Sequence, residues 1–145
     1  MKEFYMYIAD PKSVKNIMKE GLRADENGVI DVLATHRLTA TATLIEYPFT
    51  QNETEYEVKT TVLICDDTAR KKGLKKYTLL RISRDGIKTE PMPATGKALF
   101  SEYVWKIKQP LIEPRYITVM GSFHTMQTIA NEIRRKGETD WFLMD

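Results

Sequence analysis

The strongest constraint on this chain is the spacing of its apolar residues. Short β-branched and aromatic runs crowd the middle, and helical periodicity is confined to the early and late segments. That order predicts an α+β fold rather than a regular βαβ array, because strands that follow one another without intervening helices pair with their neighbours. The first run, Phe4 to Ile8, reads as a short buried strand. Asp10-Pro11 then opens a helix, with Asp as cap and Pro in the first turn. Val14, Ile17 and Met18 form one apolar stripe, and Gly21 stops it. A second strand is expected at Val29 to Ala34, followed by a helix capped by Thr35, running through Leu38, Ala42 and Ile45, and stopped by Pro48.

Beyond a polar loop from Pro48 to Glu55, the segment Glu57 to Cys65 ends in the unbroken apolar run Val62-Leu63-Ile64-Cys65, which predicts a central strand. Asp66 and Asp67 then suit the start of a short helix ending near Gly73. Tyr77 to Ile82, Ser101 to Lys108 and Tyr116 to Phe123 complete the strands, with a loop from Asp85 to Gly96. Met126, Ile129, Ala130 and Ile133 space a last amphipathic helix, closed by Gly137. No repeat or compositional break divides the 145 residues, so residues 1–145 are expected to form a single domain.

Composition narrows the function classes without choosing one. Apolar residues make up 42% and charged residues 29%, which excludes a disordered tail or a collagen-like repeat. The least charged stretch, Tyr116 to Asn131, is too rich in Thr, Ser, His and Gln to span a bilayer, so no membrane partner is expected. The segment Met1-Lys2-Glu3-Phe4 has no apolar leader core, and a cytoplasmic location is the expectation. One cysteine, Cys65, excludes an internal disulfide, and its apolar setting reads as a core thiol. With only two histidines, His36 and His124, no metal site is expected.

No Walker loop, G-x-S-x-G, H-E-x-x-H or C-x-x-C occurs. The net charge of +2 gives no global attraction for nucleic acid. However, Arg70, Lys71, Lys72, Lys75 and Lys76 put five cations into seven residues. Such a cluster suits phosphate contacts, and it equally suits the C-terminal dipole of a helix. It lacks an aromatic residue for base stacking. Among the acids, Glu20 and Glu113 read as solvated helix-end and turn residues. Glu102, between Phe100 and Tyr103 at the head of a strand, is placed to project a carboxylate into a cleft.

Two segments carry a family resemblance. Tyr7 to Leu22, with Ile17-Met18-Lys19-Glu20-Gly21-Leu22 at its end, resembles the opening strand and "I-L-x-x-G-L" helix of the ADP-ribosyltransferase-like superfamily. The likeness is nearest to the DarT-type DNA ADP-ribosyltransferases, and the tRNA 2′-phosphotransferases share the motif. Ser101-Glu102-Tyr103-Val104-Trp105-Lys106 through Pro110 to Ile117 is similar to the DarT-type "A-E-x-L-V-…-V-P-x-x-Y-I" segment. Together the two segments cover about a third of the chain. The resemblance implies a small split mixed/antiparallel sheet with flanking helices and NAD as substrate. It further implies a nucleic-acid or protein acceptor and Glu102 as catalytic acid. The family's nicotinamide-ribose histidine falls on Tyr7, and the threonine after it on Ala9. His36 and Tyr47 are the further polar residues expected near the cleft for the cofactor. Two outcomes follow from these departures: an active transferase, or the same fold with a degenerate site acting as a binding or structural module. A phosphotransferase-like reading fits less well, because that branch depends on several histidines.

Overall fold

The structure is a computed structural model that describes residues 4–34, 64–96 and 103–125. The helices expected after Thr35 and after Met126, the loop from Pro48 to Glu55, and the residues Glu102, His36 and Tyr47 lie outside the described residues.

The described strands are β1 (Phe4–Ala9), β2 (Leu22–Arg23), β3 (Ile30–Leu33), β4 (Lys76–Ser83), β5 (Met92–Pro93), β6 (Val104–Ile107), β7 (Leu111–Ile112) and β8 (Ile117–His124). Six of them form one sheet in the order β5-β6-β3-β1-β4-β8, and β2 pairs with β7 in a second. Every described pairing is antiparallel, which makes the fold α+β as the segment order predicted.

The main sheet falls into two halves. β1, β4 and β8 are laddered along their length, from Phe4 opposite Ser83 to Ala9 opposite Thr78, and from Lys76 opposite His124 to Ile82 opposite Ile117. β3 and β6 are paired over four positions, from Ile30 opposite Ile107 to Leu33 opposite Val104, with β5 outside them. Among the described residues the halves meet at a single register position, Met6 opposite Leu33.

Side chains alternate across the sheet, and each face has its own core. On one face Tyr5, Val32, Leu80 and Ile82 pack with Ile17 of helix α1 (Val14–Glu20), Leu22 and Ile112. On the other, Met6, Ile8, Leu33 and Leu79 pack with Ile64, Cys65 and Ala69. A bulge adds Met120 to β8 between the residues opposite Leu79 and Leu80. The extra residue reverses the strand's parity, so Ile117 and Phe123, both odd-numbered, pack on opposite faces.

Asp10 caps as expected, its Oδ1 accepting from Lys12 N–H at 3.0 Å, but the turn it opens is a 3-10 turn, Pro11–Ser13, leading into α1. The strand expected over Glu57 to Cys65 is corrected at its end, its residues 57–63 lying outside the described residues. Ile64 and Cys65 are helical, in a segment named α2 here, residues 64–71. A continuous apolar run is ambiguous between buried strand and buried helix. Here the i to i+4 pairs Asp66–Arg70 and Asp67–Lys71 support the helix, and Thr68 Oγ1 donates to Ile64 O at 3.0 Å. The loop expected from Asp85 to Gly96 also contains the short edge strand β5.

Gly21 joins α1 to the β2–β7 pair at φ 97°, donating its N–H to Ile17 O at 2.7 Å. A Cβ there would lie 2.5 Å from the Ile112 carbonyl oxygen, in a backbone conformation that L side chains avoid. Gly21→Ala is therefore expected to cost about 2 kcal/mol or more. Urea unfolding measures this, and a loss below about 0.5 kcal/mol would contradict the packing described.

Candidate functional site

The site begins where α2 stops. Leu74 N–H donates to Ala69 O at 2.9 Å and Gly73 N–H to Arg70 O at 2.9 Å, with Gly73 at φ 74°. This is a Schellman ending, and Leu74 and Ala69 share the same core cluster, as that motif favours. The motif fixes the backbone of the residue it encloses, Lys72.

Lys72 is an exposed residue whose ammonium is nevertheless engaged by the sheet. Its Nζ donates to the Ile8 carbonyl oxygen at 2.6 Å and lies 4.1 Å from the centroid of the Tyr7 ring. Ile8 lies two residues beyond Met6, where no pairing of β1 with β3 is recorded. The lysine gives that carbonyl a charged donor, and the aromatic face adds a cation–π contact. Desolvation lowers the Lys72 pKa to about 8, with the negative charge of Asp31 opposing the shift. Burial, with Asp31 adding to it, raises the pKa of the Tyr7 phenol, which therefore stays neutral.

A cavity of about 240 Å³ opens at this junction. Its apolar lining includes Met6, Ile8, Leu33 and Val104. Its polar lining combines Asp31, Asp67 and Thr68 with Lys71 and Lys72, so the formal charges cancel. Asp31 is held by Lys106 across the β3–β6 ladder at 3.0 Å, and Asp67 by Lys71 at 2.9 Å. Both are exposed or half-exposed pairs of the kind that contribute at most about 1 kcal/mol. The volume is below the roughly 300–1,000 Å³ of most ligand pockets, and it suits one ring with its polar substituents.

The residues expected to act are not brought together equally. Tyr7 stands on β1 beside the junction, while Glu102, His36 and Tyr47 are outside the described residues. The basic cluster is divided. Arg70 faces Asp66 at 3.6 Å, Lys71 is paired with Asp67, Lys72 turns inward, and Lys75 and Lys76 are exposed. Asp31 and the inward role of Lys72 are missed by sequence reasoning. A lone acid inside the apolar run Val29 to Leu33 signals the first; nothing local signals the second, because its partner is 64 residues away.

Cys65 is fully buried, and burial reinforced by Asp66 pushes its thiol up to about 12. The same causes, with Cys65 beside them, raise the Tyr77 phenol. Tyr77 is also buried, and its hydroxyl has no hydrogen-bond partner among the described residues. Among the described residues no group of three or more His, Cys, Asp or Glu side chains could hold a metal, and no helix is long and apolar enough to cross a membrane. No family model, curated protein or solved structure matches the chain.

Two predictions follow from these environments. Cys65 should resist a thiol reagent at about pH 8 in the native chain and react fully in concentrated guanidinium chloride; rapid native reaction would contradict its burial. Lys72 should impose a pH dependence on stability. Between about pH 8 and its unfolded value of about 10.4 the unfolded chain binds more protons, so its contribution to stability rises with pH across that window. Cys65, Tyr7 and Tyr77, whose raised pKa values act in the opposite direction, titrate in the same range. The test is therefore the difference in urea midpoint between wild type and Lys72→Met. It should move in favour of the wild type as pH rises through the window, and parallel curves would contradict the shift.

Proposed function

We propose that this chain binds NAD at the junction of its half-sheets and transfers ADP-ribose from it, as an ADP-ribosyltransferase-like protein with Glu102 as the catalytic acid. The observation that carries this reading is the division of the sheet at Met6 and Leu33, with a cavity at the division. β1, which holds Tyr7, flanks it from one half, and β6, which follows Glu102, flanks it from the other. Val104 lines the cavity, and Glu102, outside the described residues, precedes it by two positions in the sequence. The order and separation of the two resembling segments agree with that reading.

The cavity volume suits the nicotinamide ribose rather than the whole dinucleotide, whose remainder would extend outside it. The Glu102 carboxylate would accept a hydrogen bond from the ribose 2′-hydroxyl and stabilise the positive charge that develops at C1′ as nicotinamide leaves. Tyr7, held neutral, would offer its hydroxyl where the family uses an imidazole, its ring packing against the cluster on the other face of the sheet. A nucleophile on the acceptor then bonds to C1′ and releases its proton. For a nucleic-acid acceptor, Lys75 and Lys76 are the exposed cations of the basic cluster. Arg70 and Lys71 already face their own acids, and Lys72 faces inward.

One observation favours a second reading, a non-catalytic binding module of the same fold. The Tyr7 ring face is occupied by Lys72, and Ala9, at the family's threonine position, is buried and brings no hydroxyl.

Incubation with labelled NAD and DNA, RNA or protein acceptors tests the proposal. The wild type should transfer label, and Glu102→Ala should lose it by about a hundredfold or more. Equal transfer by the two proteins would remove Glu102 from the mechanism. Micromolar NAD binding without transfer by either would establish the module, and the absence of binding would sink both readings. With a nucleic-acid acceptor, replacing Lys75 and Lys76 by Ala should lower the salt dependence by about two phosphate contacts.

A further inference from the structure

We propose that Lys72 is an amine nucleophile that captures a small aldehyde in the cavity at the β1–β3 junction as a Schiff base. The inference is independent of NAD binding and of Glu102. Its basis is the position of one amine. Lys72 lines a cavity of about 240 Å³ whose walls are largely apolar and whose ionisable groups sum to zero charge, an environment for a small, uncharged ligand. Among the described residues no carboxylate lies within ion-pairing distance of its Nζ, in contrast to Lys71 and Lys106. A carboxylate partner would hold the amine protonated. The partners it has, the Ile8 carbonyl oxygen and the Tyr7 ring face, are neutral.

Those partners also suit the product. The free amine keeps two N–H donors, enough for Ile8 O and the ring face, and its lone pair is released for attack. The nitrogen bonds to the carbonyl carbon, and the carbonyl oxygen leaves as water, taking two hydrogens. Counted from the ammonium, Lys-NH3⁺ and R-CHO give Lys-NH⁺=CH-R and H2O. The iminium carries the same charge as the ammonium it replaces. Its one N–H can stay on Ile8 O, and its charge can stay over the Tyr7 ring.

The groups that set the amine's protonation come from each element around it: Tyr7 on β1, Asp31 on β3 with Lys106 of β6 bound to it, and Asp67 and Lys71 on α2. Burial outweighs the field of Asp31 and lowers the pKa to about 8, which leaves a far larger neutral fraction at neutral pH than an exposed lysine has. Part of that advantage is lost because a less basic amine is a weaker nucleophile.

The test uses the full chain with butanal and cyanoborohydride at about pH 7, followed by peptide mapping. Lys72 should be alkylated about tenfold faster than Lys71, Lys75 and Lys76. Asp31→Asn removes the charge that favours the ammonium, and it should speed labelling of Lys72 without speeding that of Lys75. Denaturant should abolish the difference between the lysines. Labelling of Lys72 at or below the rate of its neighbours in the native wild type would overturn the proposal, as would an Asp31→Asn variant that labels Lys72 more slowly while remaining folded by circular dichroism.

Discussion

The hydrogen bond from Lys72 Nζ to the Ile8 carbonyl oxygen is the contact on which the geometry of the site depends. Among the described residues the halves meet at one register position, and past Met6 towards Ile8 the β1–β3 ladder does not continue. An unsatisfied carbonyl in that setting costs about 1–3 kcal/mol unless something donates to it. Closing the ladder would satisfy it and fill the cavity; bringing in a side-chain donor satisfies it and leaves the cavity open. The chain takes the second course, which commits an ammonium to a partly dry position and lowers its pKa. The cavity, the altered lysine and the divided sheet are thus consequences of one arrangement.

That arrangement needs a rigid support on each side. α2 reaches the junction because Ile64, Cys65 and Ala69 anchor it on the sheet and the Schellman ending at Gly73 stops it beside Ile8. β3 is held away from β1 by its four-position ladder to β6, with Asp31 and Lys106 facing across it. On the opposite face, α1 and the β2–β7 pair pack over both halves, with Ile17, Leu22 and Ile112 joining Tyr5 and Leu80 to Val32 and Ile107. That shared core keeps the halves together where their backbone pairing is minimal, because apolar burial is not directional and hydrogen bonds are.

Much of the described secondary structure could be read from local pattern. β1, β3, β4 and β8 fall where aromatic and β-branched runs predicted strands, and Gly21 and Gly73 end their helices as their positions implied. Ile64 and Cys65 were misread because four consecutive apolar residues fit either kind of element; the acid–base spacing that followed was the better guide. The site was less legible. Arg70 to Lys76 looked like one basic patch because sequence records charge and not direction, whereas the helix ending sends Lys72 inward and leaves Lys75 and Lys76 outside. Asp31 and Lys72 are 41 positions apart, and only the sheet brings their charges into range. The roles proposed for Tyr7 and Glu102 rest on the resemblance of two segments, which no local pattern of charge or periodicity supplies.

The most direct measurement of the central claim is the pattern of cross-strand backbone NOEs between β1 and β3. The account predicts contacts around Met6 and Leu33 and none between Ile8 and Asp31, the pair two residues farther along the same antiparallel register. Strong Ile8–Asp31 contacts would mean that the ladder continues, that the Ile8 carbonyl needs no lysine, and that the cavity is closed.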